Sequence, residues 1–133
     1  MVLTFIDSGV LIAASRGEGD IASRAMTVLT DGDRTFASSE FVKLEVLPKA
    51  IYNKQTAESA FYDAFFDAVS VWSNELGRIV NDAYRLASAY GIAAMDALHV
   101  AAALQVDAVE LVTTERSSKP IHRVPAIRVI SIF

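Results

Sequence analysis

The chain has 133 residues, no cysteine and a net charge of −4. A content of 53% hydrophobic and 21% charged residues excludes intrinsic disorder and predicts one well-filled core, a single domain over 1–133. The longest uncharged stretches, Leu86–Met95 and Ala97–Val106, are about half of what a spanning helix needs, so no membrane partner is expected. No basic leader precedes the first apolar run, and the missing cysteines exclude disulfides and thiolate metal sites. A soluble, cytoplasmic domain is the expectation.

Val2–Ile6 is a short β-branched apolar run closed by Asp7-Ser8 and reads as a buried strand. A helix follows over Ser8–Ser15, ended by Gly17 and Gly19, and Asp20 is placed to cap a second helix over Ile21–Thr30. After the turn Asp31-Gly32-Asp33, Arg34–Ala37 is a second strand, and Ser38-Ser39 caps a helix reaching Tyr52. Pro48 should kink or split that helix. Thr56–Ala68 is helical, Val69–Trp72 a brief strand, and Ser73 caps a helix over Asn74–Tyr90 that Gly91 terminates. Ala94–Gln105 is the last helix, and Val109–Thr113 and Ile127–Ile132 are the last strands. The alternation predicts an α/β fold: a mostly parallel sheet of four to five strands covered by helices on both faces, with the N-terminal strand near the centre.

In open parallel sheets, sites lie beyond the carboxyl ends of the strands. Asp7 follows the first strand directly, and Glu115 stands two residues after the strand ending at Thr113. Phe41, Leu44, Glu45 and Pro48 form one helical stripe, which would turn Glu45 inward. From Ile92 to Leu104 only Asp96 and His99 are not apolar, so Asp96 faces protein rather than bulk water. Each acid alone could be a helix cap or a half-exposed group. Four together, with few cations to pair them, point to a divalent ion, and a carboxylate set selects a hard one, Mg²⁺ or Mn²⁺. His99 reads as a buried histidine satisfied by a neighbouring carboxylate or carbonyl, or as a group orienting Asp96.

The C-terminal segment carries Arg116, Lys119, Arg123 and Arg128 and no acid. It reads either as a local phosphate-binding rim or as a solvated loop and a guarded edge strand. Gly17-Glu18-Gly19-Asp20-Ile21-Ala22 fits the loose dinucleotide-binding pattern but follows a helix instead of a strand, which excludes that use. Five of the twelve aromatics cluster between Phe61 and Trp72 on two adjacent helical faces, enough for a core and part of a partner interface.

Four blocks in order resemble the PIN domains, in particular the VapC-like ribonuclease toxins: FIDSGVLIAA, SSEFVKLEVLPKA, YGIAAMDALHVAAAL and ELVTTERSSKP. The resemblance implies a metal-dependent endoribonuclease that cuts single-stranded RNA, with Asp7, Glu45 and Asp96 as catalytic, metal-holding acids. Glu115 is a fourth acid where the family usually has Asp, expected to be auxiliary. Arg116, Lys119 and Arg123 would then meet neighbouring phosphates of the substrate. The resemblance also implies a homodimer and a small antitoxin protein as partner. The competing reading is a catalytically weak PIN-like module that binds RNA or a protein.

Overall fold

The computed structural model describes residues 1–133. Five strands, β1 (Val2–Ile6), β2 (Arg34–Ser39), β3 (Val71–Ser73), β4 (Glu110–Thr113) and β5 (Arg128–Ser131), form one sheet. Their order is β3-β2-β1-β4-β5 and every pairing is parallel. Six helices complete it: α1 (Ser8–Arg16), α2 (Gly19–Leu29), α3 (Glu40–Tyr52), α4 (Thr56–Ala68), α5 (Leu76–Tyr90) and α6 (Ala94–Gln105). A 3₁₀ turn, Pro120–Arg123, precedes β5. No single helix is long and apolar enough to cross a membrane.

The expected central place of the first strand is found. Thr4, Phe5 and Ile6 have no solvent exposure, as an apolar strand flanked by β2 and β4 requires. From β1 the chain moves outward to β2 and β3, then crosses back to β4 and out to β5. Because parallel crossovers are right-handed, this reversal puts α1–α4 on one face, and α5, α6 and the 3₁₀ turn on the other. The packing agrees: α1 touches α2, α3 and α4, whereas α6 touches α5, β2, β3, β4 and the 3₁₀ turn, and meets α3 where Glu45 bonds His99. The reversal falls between β1 and β4, the place where such sheets open a crevice at their carboxyl ends.

Several local expectations need correction. Helix α3 runs unbroken through Pro48. Pro48 and Leu44, whose carbonyl loses its amide donor, both lie on the exposed side, where water can satisfy the group. Ser73 does not cap α5; it ends β3, and its hydroxyl donates to Gln105 Oε1 at 2.7 Å. Gln105 replaces it by bonding both the N–H and the carbonyl of Glu75 at the start of α5. Asp20 lies within the first turn of α2 and not at its cap, which is Glu18. Gly91 ends α5 as expected, in a left-handed conformation with φ of 69°.

The aromatic cluster is mostly core. Tyr62, Phe65 and Phe66 are buried, and Phe66 leans on Trp72 with Lys43 over both rings. Surplus apolar surface lies elsewhere, at Leu44, Ile51 and Tyr52 of α3 and at Val80 and Tyr84 of α5, the last 78% exposed.

The amino-terminal rim of the sheet is tied by charge. Buried Glu110 accepts from Arg34 Nε and Thr4 Oγ1, both at 2.8 Å, and Arg34 also reaches Asp31 at 3.0 Å. Removing one partner of such a pair strands a buried charge, whereas removing both need not. Arg34→Met should therefore cost about 3 kcal/mol in urea unfolding, and Arg34→Met/Glu110→Met should recover most of it.

Candidate metal centre

Asp7 occupies the cap position of α1 with extended φ and ψ, yet its side chain does not bond the helix amides. It turns across the crevice instead: its N–H donates to Val112 O at 3.0 Å and its Oδ2 accepts from Thr113 Oγ1 at 2.6 Å. The end of β1 is thereby locked to the end of β4. Gly9 permits this approach, because a Cβ there would overlap Thr114 Oγ1.

Glu45 reaches the same place from α3. The buried face of α3 is Val42, Val46 and Ala50, so the stripe through Phe41, Leu44 and Glu45 was not the packed one; Leu44 is 67% exposed. Glu45 sits beside the packed face, at the rim, and only its carboxylate enters the site. There Oε1 accepts from Ser8 Oγ at 2.6 Å and from His99 Nε2 in a short hydrogen bond. His99 Nε2 is also 3.3 Å from Ser8 Oγ and 3.7 Å from Asp7 Oδ1. The ligand-type atoms of Asp7, Glu45 and His99 all lie within 4.8 Å of one another.

A carboxylate can only accept, so Nε2 carries the proton that points at Glu45. A protonated nitrogen offers no lone pair to an ion. The donors left for a cation in this arrangement are carboxylate oxygens, a hard set. On its other side His99 is packed within the core, with Nδ1 lacking a partner and the ring 6.1 Å from that of Phe5.

The charges explain the protonation states. The His99 hydrogen bond holds Glu45 below the usual carboxylate range, against burial, with help from Ser8. Burial opposes a charge on His99, but the Glu45 hydrogen bond and the nearby Asp7 and Glu45 charges together outweigh it and raise its pKa. Asp96, in the first turn of α6, has no hydrogen-bond partner on its carboxyl. Burial first, then the charges of Asp7 and Glu115, push it up to about 6.

Two of the four expected acids, Asp7 and Glu45, meet in a close cluster with His99, and Asp96 lies outside it but within the field of Asp7, Glu115 and Glu45. Glu115 is half-buried; its N–H donates to Thr113 Oγ1 at 3.1 Å and its carbonyl accepts from His122 Nε2 at 3.0 Å. Arg116 does not pair with it but stacks on Phe133, 4.3 Å from the ring centroid. Lys119 is exposed, and Arg123 donates to Tyr90 O at 3.1 Å, closing the carboxyl end of α5. Sequence reasoning assigned no part to Ser8 or Thr113. The only signal for either is a hydroxyl within two residues of an acid at a strand end.

Residues 4–124 match the family model for the PIN domain. The chain is a PIN domain. Solved structures with the same fold include a toxin-antitoxin complex from Klebsiella pneumoniae, at 20% identity and a TM-score of 0.75 over 98% of both chains. VapBC2 from Rickettsia felis, bound to a promoter DNA fragment, aligns at 15% identity and a TM-score of 0.72 over 98% of both chains. Mycobacterium tuberculosis VapC20, a Sarcin-Ricin loop cleaving toxin, aligns at 13% identity and 0.69, over 94% of this chain and 98% of that one. No curated protein gives a sequence match.

The residues present fit a hard cation on one observation above all: carboxylate oxygens of Asp7 and Glu45 lie within 4.8 Å of one another beside His99, with half-buried Asp96 in their field.

Two outcomes follow from this geometry. Gly9→Ala should lower stability by about 2 kcal/mol through overpacking, and adding Thr114→Ala should restore most of it in thermal denaturation. Asp96 binds its proton more tightly folded, at about 6, than unfolded, near 3.8, so stability should fall as pH rises through that window and level off above it. Above pH 6, Asp96→Asn should stabilise the metal-free protein by about 1 kcal/mol, the full shift being discounted for partial exposure. Mn²⁺ should raise the melting temperature of the wild type and much less that of the variant.

Proposed function

We propose that this PIN domain is a Mg²⁺- or Mn²⁺-dependent endoribonuclease acting on single-stranded RNA. Asp7, Glu45 and Asp96 are its catalytic, metal-holding acids, and Glu115 is an auxiliary one. The observation that carries the reading is the cluster of Asp7, Glu45 and His99 ligand-type atoms within 4.8 Å of one another, with Asp96 in the field of the acids. A fold that gathers like charges without neutralising them is suited to a cation that arrives from solution.

A bound hard ion would supply a water made nucleophilic at neutral pH and relief of charge on the scissile phosphate. The chain's own residues set the stage. Thr113 fixes the rotamer of Asp7 through Oδ2 and leaves Oδ1 facing the crevice side shared with His99. Ser8 and His99 hold Glu45 Oε1, so an exposed side chain on a helix rim keeps one position. Without a cation the four acids repel an RNA backbone; with one, Arg116 and Lys119 beyond Glu115 can meet the neighbouring phosphates. Arg123, engaged at the end of α5, contributes from the edge of that rim.

The complexes in which structural relatives occur support a further part of the reading, that this chain acts as the toxin of a toxin–antitoxin pair; a cytoplasmic location belongs to the same proposal. A homodimer and a small antitoxin protein are its expected partners, and the apolar residues exposed on α3 and α5 are surfaces such partners would cover. A catalytically weak binding module is the alternative, favoured by Glu115 standing where the family usually has Asp.

Cleavage of an RNA pool with Mn²⁺, abolished by EDTA, decides between them. Asp7→Asn and Asp96→Asn should each lower the initial rate about 1000-fold while leaving the fold intact by circular dichroism. Glu115→Gln should cost about 10–100-fold in metal affinity and rate. Wild-type rates in either Asn variant would remove the assignment.

A further inference from the structure

The basic C-terminal rim lies on one side of the acids. On the other, a cavity of about 530 Å³ opens between α1, α3 and α4, and Glu45 is part of its wall. The cavity therefore continues directly from the candidate metal centre. Its lining along α3 is ordered: Glu45, Lys49 and Asn53 are spaced by four residues, in steps of about 6 Å along the axis. A metal-holding acid, a cation and a neutral amide thus follow one another away from the site.

Neither Lys49 nor the amides of Asn53 and Gln55 bond any other group of the protein through their side chains. Arg16, by contrast, is held by Glu58 at 3.7 Å, and Ser15 ties Glu58 and Tyr62 together beneath it. Ile12 and Val46 add an apolar wall. The α3–α4 turn that carries the amides is well defined: Lys54 adopts φ of 55°, and Gln55 N–H and Lys54 N–H bond Ala50 O and Ile51 O at 2.9 and 3.0 Å. Such a turn presents Asn53 and Gln55 from fixed backbone positions.

We propose that this cavity is a nucleotide subsite: Lys49 neutralises a phosphate next to the scissile one, and Asn53 and Gln55 hydrogen-bond the edge of that nucleotide's base. An amide carries a donor and an acceptor side by side, the pairing that base edges present. Those edges are free for such contacts only in unpaired RNA, which fits a single-stranded substrate. One unpaired cation and two amides suit one phosphate with one base, and the apolar wall suits the face of the base. The PIN domain then selects the base beside the cut from the α3–α4 side.

The inference rests on the ribonuclease reading, and two arms separate their fates. In the first, randomised single-stranded RNA is digested with Mn²⁺ and the new ends are sequenced. The wild type leaves a base bias at one fixed position beside the cut, and Asn53→Ala/Gln55→Ala flattens it. Lys49→Ala raises KM about 10-fold with kcat within about twofold, and reduces the salt slope of binding by about 0.7. Arg85→Ala, on the far side of α5, changes none of these. A bias that survives the double substitution, or a KM indifferent to Lys49, overturns the subsite.

The second arm needs no cleavage. Asp7→Asn protein is titrated at low salt and saturating Mn²⁺ with labelled hexamers of each of the four ribonucleotides. Affinities that differ between bases, and converge in Asn53→Ala/Gln55→Ala, support the subsite even if the wild type cuts nothing, in which case the ribonuclease reading alone fails. Hexamers that bind alike, or not at all, overturn the subsite whatever the cleavage assay shows.

Discussion

Repulsion among carboxylates is the constraint around which the carboxyl rim of this sheet is built. Asp7, Glu45, Asp96 and Glu115 come from four separate segments of the chain, and the fold brings them together at the crevice between β1 and β4. Two of them are settled locally. Thr113 holds Asp7, and Ser8 with His99 holds Glu45. Asp96 is not settled, and burial first, then the charges of Asp7 and Glu115, raises its proton affinity to about 6. The proposed metal chemistry rests on that imbalance, because a compact cation is the simplest species that would relieve it.

His99 is the hinge between core and site. One nitrogen is buried without a partner near Phe5, while the other binds Glu45 and lies near Asp7. Burial disfavours its charge and the carboxylates favour it, and the balance raises its pKa. Gly9 serves the same rim sterically, by letting α1 begin in contact with Thr114. Neither role involves touching an ion. Both decide whether the acids are placed well enough to hold one.

Strand and helix content was legible because hydrophobic periodicity and punctuation agree over most of the chain. Val2–Ile6 read as a central strand because it is apolar without alternation, and Gly91 as a helix end because only αL backbone closes α5 there. Asp7 and Asp96 were legible as acids in apolar contexts. Glu45 was found for a wrong local reason: its stripe with Phe41 and Leu44 is not the packed face, and the acid works from the rim through side-chain reach. Pro48 misled because helix disruption depends on whether the orphaned carbonyl can meet water, which is a property of the fold. Ser73 misled because its hydroxyl is taken by a distant glutamine, Gln105, which also holds the backbone of Glu75 ahead of α5. The partner of His99 could be stated only as a class, a carboxylate or carbonyl, since long-range pairing leaves no local mark.

All five strands point the same way, so the sheet has two rims of different character, and β1 runs through both. Thr4 bonds Glu110 at the amino side, and Asp7, only three residues on, serves the carboxyl side about 10 Å away. At the amino rim Arg34 pairs with both Glu110 and Asp31; the carboxyl rim leaves its acids exposed to one another. An engineer can therefore tune robustness at one rim while leaving chemistry at the other untouched. Natural variation faces the same division: substitutions around Arg34 are judged by whether the molecule persists, and those around Asp7 by what it does.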